Sequence, residues 1–268
     1  MIEKQMRRHA STIRFVCLFY VFVIACAFLW LEDKRRAYDY QAPCSILGEL
    51  PILVKPDFSS IVSSVERKQA FFAYFELLVD YENDQISQQR YHLKQLTEWA
   101  KVGITPPVQC MQLLADLRER YRIADEASPE QALTELLLRV DEVPAALAMV
   151  QAAIESGWGQ SRFAQQANNF FGQWCFKAGC GLVPLQREEG RYHEVAVFTS
   201  PRQSLRAYML NLNSFSAYSE FRLLRAKLRQ NNEPLKALSL STALSKYSER
   251  GQDYIEQVQA MIRANGLE

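Results

Sequence analysis

The sequence predicts an α+β fold that is mainly α, in which helices bury the core and one small β-hairpin accompanies them. Two observations favour this class. Apolar residues recur at spacings of three and four through most of residues 67–268, whereas alternation with a period of two is confined to residues 183–199. The composition is that of a folded chain, because 49% of the 268 residues are hydrophobic, 12% are aromatic and only 23% are charged.

The N-terminal segment directs the chain to the cell envelope. Residues 15–31 are apolar and uncharged, and a basic flank precedes them. Such a run is near the lower limit for a helix that crosses about 30 Å of hydrocarbon, and the positive-inside rule keeps its basic flank in the cytoplasm. It can be an uncleaved inner-membrane anchor, a signal peptide cleaved after the A-x-A motif Ala25-Cys26-Ala27, or a lipoprotein signal. All three alternatives place the rest of the chain in the periplasm or outside the cell.

An oxidising compartment also allows disulfides. Cys175 and Cys180 can close the short loop CFKAGC, and we predict that they do, the alternative being two unrelated thiols. Cys44 and Cys110 are the other pair in the exported part, with weaker grounds for pairing.

Composition and periodicity divide the chain into four segments. They are a membrane anchor or signal segment (1–36), a linker with three prolines (37–66), a helical region (67–140) and a second unit (141–268). In the helical region, apolar faces occur over residues 71–79 and 86–100, and a further helix spans residues 110–121. Ser128 is the expected N-cap of the next helix.

The second unit opens with the helix PAALAMVQAAIES, for which Asp141 or Glu142 is the expected cap. Glu155 lies in line with Ala148 and Ala152 at helical spacing. A carboxylate beside small residues leaves space for another molecule, and partial burial would raise its pKa.

A β-hairpin is expected after this helix. The strand RYHEVAVF places Glu194 on one face and follows a turn that contains Glu188 and Glu189. A helix-borne carboxylate and a second one on a hairpin suggest glycoside hydrolysis, which uses a proton donor and a group that stabilises an oxocarbenium-like transition state. By pattern alone, however, each of these glutamates is more often a surface residue.

Charge and ligand counts disfavour other function classes. Lysine and arginine number 31 against 30 acidic residues, so a net charge of +1 gives no long-range attraction to nucleic acid. Only three histidines are present, and no cysteine pair has C-x-x-C spacing. We therefore expect neither a nucleic-acid partner nor a bound metal.

The segment AALAMVQAAIESGWGQSRFAQQANNFFGQWCF (145–176) resembles the signature of the bacterial glucosaminidase family of peptidoglycan hydrolases, above all its Bax-like branch. The likeness continues through GCGLVP, HEVAVF, YMLNLN and LSKYSERGQDYIEQVQAMI, and it covers about residues 67–263. It implies a lysozyme-like fold with a sugar-binding cleft between a helical lobe and a small β-hairpin lobe. It also implies cleavage of the β-1,4 bond after N-acetylglucosamine in peptidoglycan glycan strands, without a cofactor.

The resemblance also implies a set of site residues. Glu155 matches the family's catalytic acid. The second carboxylate is expected on the hairpin, where we prefer Glu194 because a strand fixes its position, and Glu188 and Glu189 are the alternatives. Four residues are expected to contact substrate: Asn169, Phe171, Trp174 and Tyr247. Trp158 and at least one phenylalanine of this segment are expected to be core instead.

A non-catalytic function on the same fold is the alternative. The chain could bind glycan or serve envelope assembly, with the helices of residues 67–140 recruiting other envelope proteins. The presence of Glu155 argues against a pure binding protein, which needs no acid at that position.

Overall fold

The computed structural model describes residues 44, 53–185, 190 and 192–268. The helices are α1 (Ser64–Lys101), α2 (Val108–Arg120), α3 (Pro129–Arg139), α4 (Ala145–Ser156), α5 (Arg162–Ala167), α6 (Pro201–Ser214), α7 (Ser219–Gln230), α8 (Ala237–Ser241) and α9 (Gln252–Ala264). The strands are β1 (Trp174–Cys175), β2 (Gly181–Leu182) and β3 (Glu194–Ala196). This mainly α, α+β architecture confirms the predicted lysozyme-like fold class.

Helix α1 is a single helix of 38 residues that begins after Ser63, whose side chain accepts a hydrogen bond from the backbone N–H of Glu66. The apolar faces predicted for residues 71–79 and 86–100 therefore belong to one helix. It contacts α3, α4 and α6, and its apolar side chains share a continuous core with those of α4. The helical region and the second unit are thus packed together.

The segment before α1 is also packed. Phe58 is 2% exposed, and its ring centroid lies 6.4 Å from that of Phe170. Lys55 Nζ donates a hydrogen bond to the side-chain oxygen of Asn168 at 2.8 Å. Lys55 and Phe58 of the predicted linker therefore lie against the second unit.

The predicted helix caps differ in outcome. Ser128 caps α3, because its side chain accepts a hydrogen bond from the backbone N–H of Gln131. The prediction that Asp141 or Glu142 caps α4 is wrong, since Pro144 occupies the N-cap position.

Asp141 instead lies among arginines. It is 2% exposed, Arg229 Nη2 donates to its Oδ1 at 2.8 Å, and Arg90 Nη2 lies 3.6 Å from its Oδ2. Burial alone would raise the pKa of Asp141, but the hydrogen bond from Arg229 and the charges of Arg225 and Arg90 hold it below its ordinary value. The carboxylate therefore joins α1, which carries Arg90, to α7, which carries the other two arginines.

The small sheet has the strand order β1-β3-β2, and β3 pairs antiparallel with both neighbours. Strand β3 lies within the predicted hairpin, whereas β1 and β2 have two residues each and are too short to show an alternating pattern. Cys175 lies opposite Glu194 and forms the predicted disulfide with Cys180. Cys44 and Cys110 form a second disulfide.

Two sets of predicted features fall outside the described residues. They are the apolar segment 15–31 and the turn carboxylates Glu188 and Glu189. Among the helices that are described, none combines the length and the apolar character needed to cross a bilayer.

Candidate active site

Glu155 lies in the last turn of α4, where its side chain is half-buried. The Tyr254 hydroxyl, on α9, donates a hydrogen bond to Glu155 Oε1 at 3.0 Å. Burial raises the pKa of Glu155, and the Tyr254 hydrogen bond and the charge of Arg250 offset only part of that rise. The raised pKa expected from its small neighbours is therefore found, and it keeps a larger protonated fraction near neutral pH than an ordinary glutamate has.

A directed chain of hydrogen bonds leads to this carboxyl group. The Tyr208 hydroxyl donates to Gln151 Oε1 at 2.6 Å, and Gln151 Nε2 donates to the Tyr254 oxygen at 2.9 Å. Because an amide NH₂ group can only donate, the Tyr254 hydroxyl is left to donate to Glu155. Gln151 is fully buried, one turn before Glu155 on the same helix. The chain fixes both the position of Tyr254 and the direction of its proton.

Sequence reasoning missed Gln151 and Tyr254 as site residues. Tyr254 falls on the apolar stripe of α9, and Gln151 is a polar residue within an apolar helix. A buried glutamine needs partners for its amide, which is a signal that its position is special. No local pattern, however, identifies a partner 103 residues away.

The tyrosines around Glu155 stay protonated. Burial raises the pKa values of Tyr208 and Tyr247 well above the ordinary value for the phenol. The Tyr247 ring stacks on that of Tyr254 with centroids 5.4 Å apart. These rings therefore add no charge beside Glu155.

A glycine leaves space on the other side of the carboxyl group. Gly172 has φ +64, and a Cβ added there would lie 3.4 Å from Glu155 Oε2. No donor among the described residues bonds to Oε2. One carboxyl oxygen is thus held by Tyr254, while the other faces a backbone that carries no side chain.

Two of the predicted substrate contacts are buried in the segment that contains Gly172. Asn169 is 1% exposed, and its Nδ2 donates to the carbonyls of Gln173 at 2.8 Å and Ala196 at 2.9 Å. Phe171 is 4% exposed and stacks on Tyr208, with centroids 4.2 Å apart. Asn169 therefore joins the segment that contains Gly172 to β3, and Phe171 joins it to α6, which carries Tyr208.

The other two predicted contacts are more accessible. Trp174 is 54% exposed, and its ring stacks on His193 with centroids 4.1 Å apart. Tyr247 is half-buried, and its hydroxyl donates to the Phe171 carbonyl at 3.4 Å. The predicted core roles are confirmed, since Phe170 is fully buried and Trp158 packs against the core.

Glu194 is placed differently from Glu155. It is 7% exposed on the central strand β3. Its Oε1 accepts a hydrogen bond from the backbone N–H of Gly179 at 3.0 Å, and its Oε2 accepts one from Gly181 at 2.8 Å. The sulfur atoms of Cys175 and Cys180 lie close to this carboxylate, but they are bonded to each other and offer no thiolate to a metal.

Residues 131–267 match the glucosaminidase family model, which is described as mannosyl-glycoprotein endo-beta-N-acetylglucosaminidase. The chain belongs to the glucosaminidase family. It is 32% identical over 214 residues to Protein bax of Escherichia coli (strain K12), an alignment that covers 78% of this chain and 74% of that protein. No solved structure matches the chain significantly.

The glucosaminidase match includes the whole hydrogen-bond chain that ends at Glu155, together with the three-stranded sheet. The resemblance noted in the sequence is therefore confirmed. Membership of this family supports a glycosidase-type function directed at peptidoglycan.

Proposed function

We propose that the chain is an endo-β-N-acetylglucosaminidase that hydrolyses β-1,4 bonds in peptidoglycan glycan strands, with Glu155 as its general acid. The observation that carries the proposal is the half-buried Glu155 carboxyl group, whose pKa is raised by burial and whose Oε1 is held by Tyr254. A raised pKa enlarges the protonated fraction of the carboxyl group, and the protonated form can give its proton to the leaving oxygen.

The reaction needs a proton, a water molecule and stabilisation of positive charge. Glu155 donates its proton to the glycosidic oxygen as the C–O bond breaks, and water adds to the sugar carbon and releases a proton that restores the acid. The group that stabilises the oxocarbenium-like transition state is still a prediction: the sequence favours Glu194, with Glu188 and Glu189 as the alternatives, which we retain for this role because both Glu194 oxygens already accept backbone N–H groups. Trp174 and Tyr247 offer ring surface to the sugars, whereas Asn169 and Phe171 would act by holding the segment that contains Gly172 in place.

We further propose an envelope location. The family's link to peptidoglycan supports it, and so do the two disulfides, which persist in oxidising compartments. Residues 15–31 would hold the enzyme at the inner membrane, with a cleaved signal peptide or a lipoprotein signal as the alternatives.

Digestion of purified peptidoglycan tests the activity. The wild-type protein should release fragments that end in reducing N-acetylglucosamine, identified by mass spectrometry. Glu155→Gln should lower the rate at least about a hundredfold, because a neutral amide cannot donate the acid proton. Glu220→Gln, an exposed glutamate in the first turn of α7, is the matched control and should keep full activity.

Three results would count against the proposal. Fragments that end in reducing N-acetylmuramic acid would change the bond that is cut. Turnover by Glu155→Gln close to the wild-type rate would remove Glu155 from the role of acid. Firm binding to peptidoglycan without release of any fragment would favour the non-catalytic alternative.

A further inference from the structure

The loop between β1 and β2 is fixed at several points. We call residues 175–181 the disulfide loop, because Cys175 and Cys180 within it are bonded to each other. Glu194, on the strand between β1 and β2, adds two hydrogen bonds to the backbone N–H groups of Gly179 and Gly181. A covalent bond and a buried carboxylate therefore restrain the same few residues.

The sequence is adapted to this contact at Gly181. A Cβ at that position would lie 2.1 Å from the Val195 carbonyl oxygen and 2.6 Å from its carbonyl carbon. Only glycine lets the strand approach β3 closely enough to bring its N–H to 2.8 Å from Glu194 Oε2. The loop, the disulfide and the carboxylate thus form one unit.

The disulfide loop carries large side chains outward. Phe176 is 77% exposed, and Trp174, immediately before the loop, is 54% exposed. Trp174 also lies two residues after Gly172, the glycine beside Glu155 Oε2. The two exposed rings therefore follow closely in sequence the backbone that borders the candidate acid.

We infer that Glu194 is a positioning residue, which fixes the disulfide loop so that Trp174 and Phe176 form a contact surface for the glycan strand. The inference rests on the proposed function for the identity of the ligand. Aromatic rings suit this ligand, because the apolar faces of sugar rings stack on them. Both oxygens of Glu194 are engaged by loop backbone, which gives this carboxylate a structural task that a second catalytic group would not need.

Steady-state kinetics on soluble glycan fragments, together with co-sedimentation with purified sacculi, test the inference in the full-length protein. Glu194→Gln replaces one acceptor by an NH₂ group and should release the loop. It should weaken binding about tenfold in KM and in the dissociation constant for sacculi, the scale of one lost aromatic contact, while kcat stays within about threefold. Phe176→Ala should weaken binding similarly, and Leu223→Ala, an exposed leucine on α7, is the control that should not.

The double variant separates positioning from independent effects. Because Glu194 would act through the loop, Phe176→Ala should weaken binding much less in the Glu194→Gln background than in the wild type. Full additivity would overturn the inference, as would a fall in kcat of about a hundredfold with unchanged binding, which would make Glu194 catalytic. Unchanged kcat and unchanged binding in Glu194→Gln would overturn it too.

The proposed function can fail without deciding this inference. If the wild type cuts no glycan, the sacculus dissociation constants still show whether the loop contacts peptidoglycan. If thermal unfolding shows that Glu194→Gln does not fold, the test rests on Phe176→Ala alone. Unchanged binding of sacculi by Phe176→Ala would then overturn the inference that the loop contacts glycan.

Discussion

Glu155 and Glu194 are both shielded from solvent, but they differ in how many hydrogen bonds their carboxyl groups receive. Glu155, at the end of a helix, receives a hydrogen bond from Tyr254 on one oxygen, and its pKa is raised. Glu194, on the central strand of the sheet, accepts a backbone hydrogen bond on each oxygen. Burying a charge is costly unless hydrogen bonds compensate it. The cost of burying the charge is therefore only partly compensated at Glu155, the residue proposed for chemistry. At Glu194, the residue inferred to hold the disulfide loop, backbone hydrogen bonds to both oxygens compensate it.

Glycines on both sides of the comparison show how local sequence produces this difference. Beside Glu155, Gly172 places no Cβ next to Oε2. Beside Glu194, Gly181 does the reverse and allows the backbone to close on the carboxylate. One glycine leaves space for a ligand, and the other removes space between strands.

The largest expected effect concerns the β-sheet side. Gly181→Ala would place a Cβ 2.1 Å from the Val195 carbonyl oxygen, and strand backbone cannot move aside as the end of a flexible side chain can. We expect a loss of about 3 kcal/mol in the free energy of unfolding, as for an overpacked core, measured by denaturant titration. Hydrogen exchange should show faster exchange of the backbone N–H groups of residues 179 and 181, which donate hydrogen bonds to Glu194.

A neighbouring substitution controls for general damage to the sheet. Leu182→Ala keeps the backbone and removes a half-buried side chain, which should cost about 1 kcal/mol, below the range for a fully buried leucine. Equal midpoints for Gly181→Ala and the wild type would show that the close approach to β3 does not restrain the loop.

The sequence predicted the helical side of this comparison better than the sheet side. The capped helix α3, the helix that carries Glu155 and its raised pKa follow from local patterns of alanine, proline and apolar spacing. The two-residue strands do not, because they exist only through pairing with β3. Register set by such pairing also decides which backbone groups Glu194 meets.

Partners distant in the chain were beyond the reach of sequence reasoning. Tyr254 is 99 residues from Glu155, and its helical stripe gives no sign that its hydroxyl points to a carboxylate. Asp141 was predicted as a cap from its position before a helix, but the arginines of α1 and α7 attract its charge more strongly. Local preference gives way where tertiary charges meet a buried carboxylate.

The second prediction compares how replacement of each glutamate by glutamine changes the free energy of unfolding. The folded-state pKa of Glu155 is raised above its ordinary value of 4.5, so its contribution to stability is complete below that pH and is lost as the pH rises through the folded pKa. Glu155→Gln should therefore be at least as stable as the wild type at pH 8, while Glu194→Gln should lose about 2 kcal/mol because the amide nitrogen cannot accept a backbone N–H. Unfolding free energies at pH 8 measure both.

Acidic pH supplies the internal check for that pair. Well below pH 4.5 the stability gain of Glu155→Gln over the wild type should vanish, because Glu155 is then protonated in both folded and unfolded chains. A Glu155→Gln protein that is clearly less stable than the wild type at pH 8 would contradict the view that burial of this charge is uncompensated.

The smallest expected effect concerns the hydrogen bond that Glu155 does receive. Tyr254→Phe removes a donor that lowers the pKa of Glu155, so that pKa should rise further. Because a general acid works while protonated, the alkaline limb of the kcat/KM profile should move to higher pH. The rate on the plateau should fall only about tenfold, the effect of one positioned hydrogen bond. Tyr91→Phe, on an exposed part of α1, is the control and should leave the profile unchanged. An alkaline limb that stays in place or moves to lower pH in Tyr254→Phe would show that the profile does not report Glu155.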